Sequence, residues 1–216
     1  MPAAPTAKGQ IDYTTGTSEL NAQSFLVEQI INRVQTATLV KIITVTNEGG
    51  IEPVGFVSVK PMVNQMTGDR RSVEHGIIYN VPYFRIQGGT DAIILDPKVG
   101  DIGICLFCSR DISVVKNTRK QANPGSYRKF ALADGLYIGG VLNGLPVQYI
   151  AFSAAGITVT SPTKIIINAP ETEINSNVTI TGNTEFVGTV KANNHIIDER
   201  HKHVNSGGTG LGGIVQ

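Results

Sequence analysis

From Ser18 onward apolar residues fall at helical spacing: Leu20, Val27, Ile30, Ile31 and Val34 lie three, four or seven positions apart. Thr17 or Ser18 is placed to cap this helix, and Glu19 would sit near the positive end of its dipole. At Ala37 the period changes to two. The run ATLVKIITVTN alternates around Leu39, Ile43 and Val45, and Glu48-Gly49-Gly50 reads as a turn. Further strands are expected over Ile51–Val63, Ile77–Gln87, Ala92–Leu95 and Ile102–Phe107. Pro82 marks the Ile77–Gln87 run as an edge or a bulge, because proline cannot donate to a ladder. Asp111–Lys120 is mixed and polar. Leu136–Val141 is a short apolar strand closed by Asn143-Gly144. About five short strands in roughly one hundred residues fit a small barrel of the oligonucleotide/oligosaccharide-binding (OB) type.

Beyond Val147 the texture changes. From Gly156 to Ala192 the chain is short strand-like runs broken by Asn, Gly, Ser and Pro. Ile157, Val159, Ile165, Ile167, Ile174, Val178, Ile180, Phe186 and Val190 form one thin apolar stripe, the texture of a β-helix with an irregular repeat. One such series cannot offset its own chain entropy, about 1–2 kcal/mol per residue for the backbone, and its strand edges would be open. Three copies wound about one axis solve both problems, so a homotrimer is expected. A single-chain solenoid is the rival, with too few turns in this length.

Composition sharpens that expectation. Of 216 residues only 16% are charged, against roughly 25% in an average soluble protein. A surface so short of charge can be covered by copies of itself. Glycine is abundant at 24 residues and tryptophan absent, which favours short strands and tight turns over long helices. The net charge of +1 gives no sign of a nucleic-acid partner. No apolar run approaches the roughly 20 residues of a bilayer span, and MPAAPTAKGQ lacks the apolar core of a signal peptide, so synthesis in a cytoplasm is expected.

Chemistry is sparse. Cys105 and Cys108 share a strand-like run with no helix start after it, so two buried thiols are expected rather than a redox pair. No nucleophile elbow, phosphate loop or zinc motif with a catalytic Glu is present, and no enzymatic activity is expected. Phe56, Tyr79, Tyr83 and Phe84 alternate with aliphatic residues as core residues do. Arg70, Arg71, Arg119, Lys120, Arg128 and Lys129 read as solvated loop clusters. His201 and His203 are two apart and would share one face of a strand. In a monomer they are a weak site, or simply a solvated pair. In a trimer three pairs would meet on the axis, and six imidazole nitrogens suit a first-row transition metal. Asp198 and Glu199 lie nearby, but a saturated six-His site leaves no position for a substrate.

Three stretches in this order carry a resemblance: DPKVGDIGICLFCSRDIS (Asp96 to Ser113), YRKFALADGLYIGG (Tyr127 to Gly140), and HKH followed by glycine-rich sequence. With the strand-rich shaft between them, the chain resembles the central spike of contractile-tailed bacteriophages, in the branch with an N-terminal OB barrel and a C-terminal β-helix. The resemblance implies a homotrimer at the baseplate tip of the virion, docked on a hub or tail tube protein. Such a spike punctures the bacterial outer membrane mechanically on sheath contraction. It also implies one iron ion on the axis, held by His201 and His203 of each chain, with no nucleic acid or small-molecule substrate. His75 and His195 do not match the motif. The expected fold is mainly β: arm and helix over 1–36, barrel over 37–146, intertwined trimeric β-helix over 147–197, metal-binding tip over 198–216. Two alternatives remain open: the spike of a phage-derived bacteriocin or secretion particle, and an OB module that binds glycan or nucleic acid.

Overall fold

The computed structural model describes residues 16–67 and 71–197. His201 and His203 lie outside the described residues, as do Arg70, Asp198 and Glu199. The chain divides after Thr160 into two compact units.

The first unit opens with α1 (Glu19–Ile31). Ser18 caps it, its hydroxyl accepting from the Asn21 amide at 3.2 Å. β1 (Ala37–Val45) and β2 (Phe56–Pro61) follow, then two short strands, β3 (Gln65–Met66) and β4 (Ser72–Val73). β5 (Ile78–Pro82) is followed by β6 (Ile86–Gly88) and β7 (Asp91–Ile93), and β8 (Ile102–Phe107) leads to the six-residue α2 (Ser113–Thr118). A 3-10 turn at Leu132–Asp134 enters β9 (Gly135–Gly140), and β10 (Tyr149–Ser153) and β11 (Gly156–Thr160) end the unit.

Five strands form one antiparallel sheet in the order β5-β2-β1-β8-β9. The sheet curls until its edges touch. Tyr83, just past β5, bridges Tyr137 of β9 in parallel, and the Phe84 amide donates to the Tyr137 carbonyl at 2.8 Å. Period-two alternation points Val40, Ile42, Val57, Val59, Cys105 and Phe107 inward. On β5 the inward residues Ile78 and Val81 are three apart. Asn80, at φ 56, is the extra residue of a bulge there and restores the inward phase. Gly103 sits where β8 crosses the Tyr137 ring and the Gly139 carbonyl, and a Cβ would collide with both.

Two strand assignments need correction. The run at Ala92–Leu95 is not a barrel strand: β7 pairs with β6 in an outlying hairpin, with Ile86 and Ile93 both exposed. The fifth barrel strand is β9, because Tyr137 supplies a buried ring and a three-residue run cannot span the sheet. Tyr79 and Phe84 are exposed rather than core, because Asn80 and the chain after Pro82 break the alternation that carries Tyr83 inward.

Within the second unit, residues 161–189 form no hydrogen-bonded strand. Ile165, Ile167, Ile174, Val178, Ile180 and Phe186 are all exposed, and this chain alone forms no β-helix there. The unit's described part ends in a hairpin of β12 (Val190–Ala192) and β13 (His195–Ile197). Its turn is Asn193-Asn194, both in the left-handed region that a two-residue turn of this kind requires. The fold is therefore mainly β, with few helices and a curled half-barrel sheet.

Candidate functional site

Two loops of the curled sheet contribute to one groove, and each is pinned by buried carboxylates. The first loop joins β1 to β2. Asp96 accepts from the Tyr83 hydroxyl at 2.7 Å, from Arg85 and from the Gly49 amide at 3.2 Å. Arg85 reaches on to the Glu52 carbonyl at 2.6 Å, and Asn47 donates to the Pro53 carbonyl at 2.9 Å. Burial pushes the Asp96 carboxyl up, but the hydrogen bonds from Arg85 and Tyr83 prevail and hold it below its ordinary value.

The second loop joins β8 to β9 and carries α2. Arg128 stands between Asp111 and Asp134, bonding the first at 2.7 Å and the second at 2.7 and 2.8 Å. Asp134 also accepts from the Ile112 amide at 3.0 Å, and Asp111 from the Ser113 amide at 2.9 Å and the Ser126 hydroxyl at 2.7 Å. The bonds from Ser113 and Ser126 hold Asp111 down at about 2, and the Arg128 bond lowers Asp134. Arg128, half-buried itself, thus bridges two buried carboxylates and is not the free loop cation its sequence neighbourhood implied.

Between these loops lies a groove of about 750 Å³. Val54, Phe56, Ile112, Val115 and Leu136 make it apolar. Lys116, Arg119 and Lys120 stand on its α2 side, and among the described residues no carboxylate lines it. Lys116 is already committed to the Asn80 and Ala133 carbonyls, each at 3.3 Å. Arg119 ends α2 in the left-handed region and makes no ion pair among the described residues. Arg119 and Lys120 had read as a solvated pair. Only Lys116 is on α2; Arg119 and Lys120 follow its end, and the closeness of three cations within five residues is the signal that could have found them.

Cys108 lines the groove and Cys105 lies in the barrel core, both free. Burial pushes Cys105 up to about 12 and raises Cys108 as well, so both stay protonated thiols and neither is an activated nucleophile. Among the described residues no group of three or more His, Cys, Asp or Glu is placed to hold a metal ion. No described helix is long and apolar enough to cross a membrane.

A second surface is built by β10 and β11. Ile150 pairs with Val159 and Phe152 with Ile157, so four large apolar residues share one face of the hairpin. All four are exposed, Phe152 at 77%. Ala151, Thr158 and Thr160 take the opposite face. Only Ile157 and Val159 had been expected to face inward.

Residues 52–140 match the family model described as the Phage protein Gp138 N-terminal domain. The matched segment runs from Glu52, within the β1–β2 loop, through β9 and includes the β8–β9 loop and the residues that line the groove. That segment is similar to a domain of a phage protein, and the match supports a phage-related protein. No curated protein matches the chain.

Proposed function

We propose that this chain is a structural subunit of a phage virion, and specifically one third of a trimeric baseplate spike. Its OB-type barrel would dock on a hub or tail tube protein. Its C-terminal part would wind with two copies into a shaft that punctures the outer membrane when the sheath contracts. The observation that carries the reading is the recurrent series of exposed apolar residues after the barrel, from Ile150 to Phe186, which no described residue of this chain covers. Contiguous apolar exposure on that scale marks an interaction surface. The phage-domain match over residues 52–140 supports the virion setting. The order β5-β2-β1-β8-β9, with a parallel contact closing β5 onto β9, supports the OB type, whose third and fifth strands meet in parallel.

On this reading the chain performs no catalysis. His201 and His203 of three chains would hold one iron at the apex, where a saturated coordination sphere locks the chain ends. A bacteriocin or secretion particle derived from a tail would use the same device. The test is the native mass of the full chain. Three copies that survive SDS without heating are expected, because interwound strands separate only by global unfolding. A stable folded monomer at micromolar concentration would overturn the reading.

A further inference from the structure

We propose that the groove between the pinned loops is the docking site for α1 of a second copy of this chain. This rests on the trimeric reading above and adds where neighbouring barrels clasp one another.

The helix needs a cover. No residue of α1 is buried, and Leu20, Val27, Ile30 and Ile31 are all more than half exposed. At 13 residues it is near the lower limit of what holds in water without tertiary packing. Val27, Ile30 and Ile31 give the i, i+3, i+4 anchors by which a helix enters an apolar groove. At 3.6 residues per turn Glu28 flanks this row on one side and Glu19 on the other. The helix contains those two acids and no base.

The groove is the chemical complement: apolar walls, three cations on the α2 side and no carboxylate among the described residues. Its volume, about 750 Å³, takes a row of aliphatic side chains rather than a whole helix. Within its own chain α1 does not fill it, since no α1 residue lines the groove. The chain leaving the helix is fixed at once to its own barrel. The Gln35 amide donates to the Phe130 carbonyl at 3.2 Å, and the Thr36 carbonyl accepts from the Phe107 amide at 2.9 Å. Passing each helix to the next copy buries both surfaces. Such a head-to-tail contact closes into a ring when the rotation is threefold.

Cys108 is a native reporter for this contact, being free, partly exposed and in the groove lining. The full chain carrying Val27→Cys is oxidised mildly and run on non-reducing gels. Linked chains are expected, and adding Cys108→Ser should abolish them. Linkage that persists with Cys108→Ser would place helix against helix and overturn the proposal. A Val27–Cys108 link within one chain, read by peptide mass, would overturn it too, as would no link at all. In the same background Glu28→Lys should cut the linkage several-fold, and Lys120→Glu added to it should restore most of that loss. Indifference to both changes counts against the docking. Native mass, taken on every sample, separates the two readings: a trimer without the link defeats the docking alone, whereas a monomer defeats the trimer as well.

Discussion

Arg128 grips the Asp134 carboxylate at two points, from Nε at 2.7 Å and from Nη2 at 2.8 Å, and Asp134 has no exposed surface. The same guanidinium holds Asp111, so one cation bridges two carboxylates beneath the loop that carries α2. Replacing Asp134 with Asn keeps the volume but weakens the fork and sets an amide against Arg128. The expected loss is about 1–3 kcal/mol, the cost of leaving buried groups poorly paired. A melting curve of the variant should show a midpoint several degrees lower, and hydrogen exchange should quicken over residues 109–134 before the rest of the barrel. An unchanged midpoint would mean that the cluster does not hold the loop.

The three buried carboxylates also set the barrel's response to acid. Asp111 is held down at about 2, and Asp96 and Asp134 are lowered as well. A carboxyl with a depressed folded pKa contributes stability that is present above its unfolded value, about 3.9, and lost as pH falls through the folded value. The midpoint of unfolding should therefore hold steady down to about pH 5 and fall between about pH 4 and pH 2. Asp111→Asn should flatten part of that slope. A barrel equally stable at pH 2 and pH 6 would contradict the lowered values.

Much of this was legible in the residues, and the failures have identifiable causes. The start of α1 was readable because a cap, an acidic first turn and a 3.6 period all agree at Ser18, Glu19 and Leu20; its end was not, since the period runs on to Val34 while the helix stops at Ile31. β1 and β8 were readable as strands from their apolar runs, but the face of β1 was not: the alternation read on Leu39, Ile43 and Val45 is the less buried set, Val40 and Ile42 point inward, and only the register shift between Ile42 and Thr44 brings Val45 back against the core. β9 was read as a strand but left out of the five of the barrel, because strand order is a matter of long-range pairing and no local pattern marks Tyr137 as the residue that meets Tyr83. The bulge at Asn80 shifted the phase of β5 by one residue and carried Tyr79 to the outside. The groove was missed because its walls come from residues as far apart as Val54 and Leu136. Arg128 was misread because a cation between Tyr127 and Lys129 looks solvated until Asp111 and Asp134 are brought beside it.

At the apex, His201 and His203 of three chains would supply six neutral imidazoles to one ion. Imidazole also suits nickel, copper and zinc, so elemental analysis must identify the metal, and iron is expected. About one metal per three chains should be found. The double change His201→Ala, His203→Ala should remove the metal while leaving the trimeric mass intact. Protons compete for imidazole near its ordinary pKa of about 6.5, so metal should be released on acidification through about pH 6 to 5, before the carboxylate-pinned barrel weakens. One metal per chain, or metal retained in the double variant, would place the site elsewhere.

The hairpin of β10 and β11 gives a test with its own control. Phe152 and Ile157 stand opposite each other on the apolar face, whereas Thr158, opposite Ala151, points to the other side. If three hairpins meet through the apolar face, Phe152→Asp brings three carboxylates together in a dry contact without partners, at several kcal/mol each. The native mass should then fall from three chains to one. The barrel core, Val40, Val59 and Tyr137 among it, lies elsewhere and should keep its tyrosine near-UV signal. Thr158→Asp places the same charge on the same hairpin, on the face that stays in water. It should leave the mass at three chains and shift the melting midpoint by no more than a degree or two. Equal damage from both substitutions would mean that the hairpin tolerates no charge on either side. Equal tolerance would leave Phe152 facing solvent in the assembly, and the contact between copies would have to be sought farther along the chain, at Ile165 to Phe186.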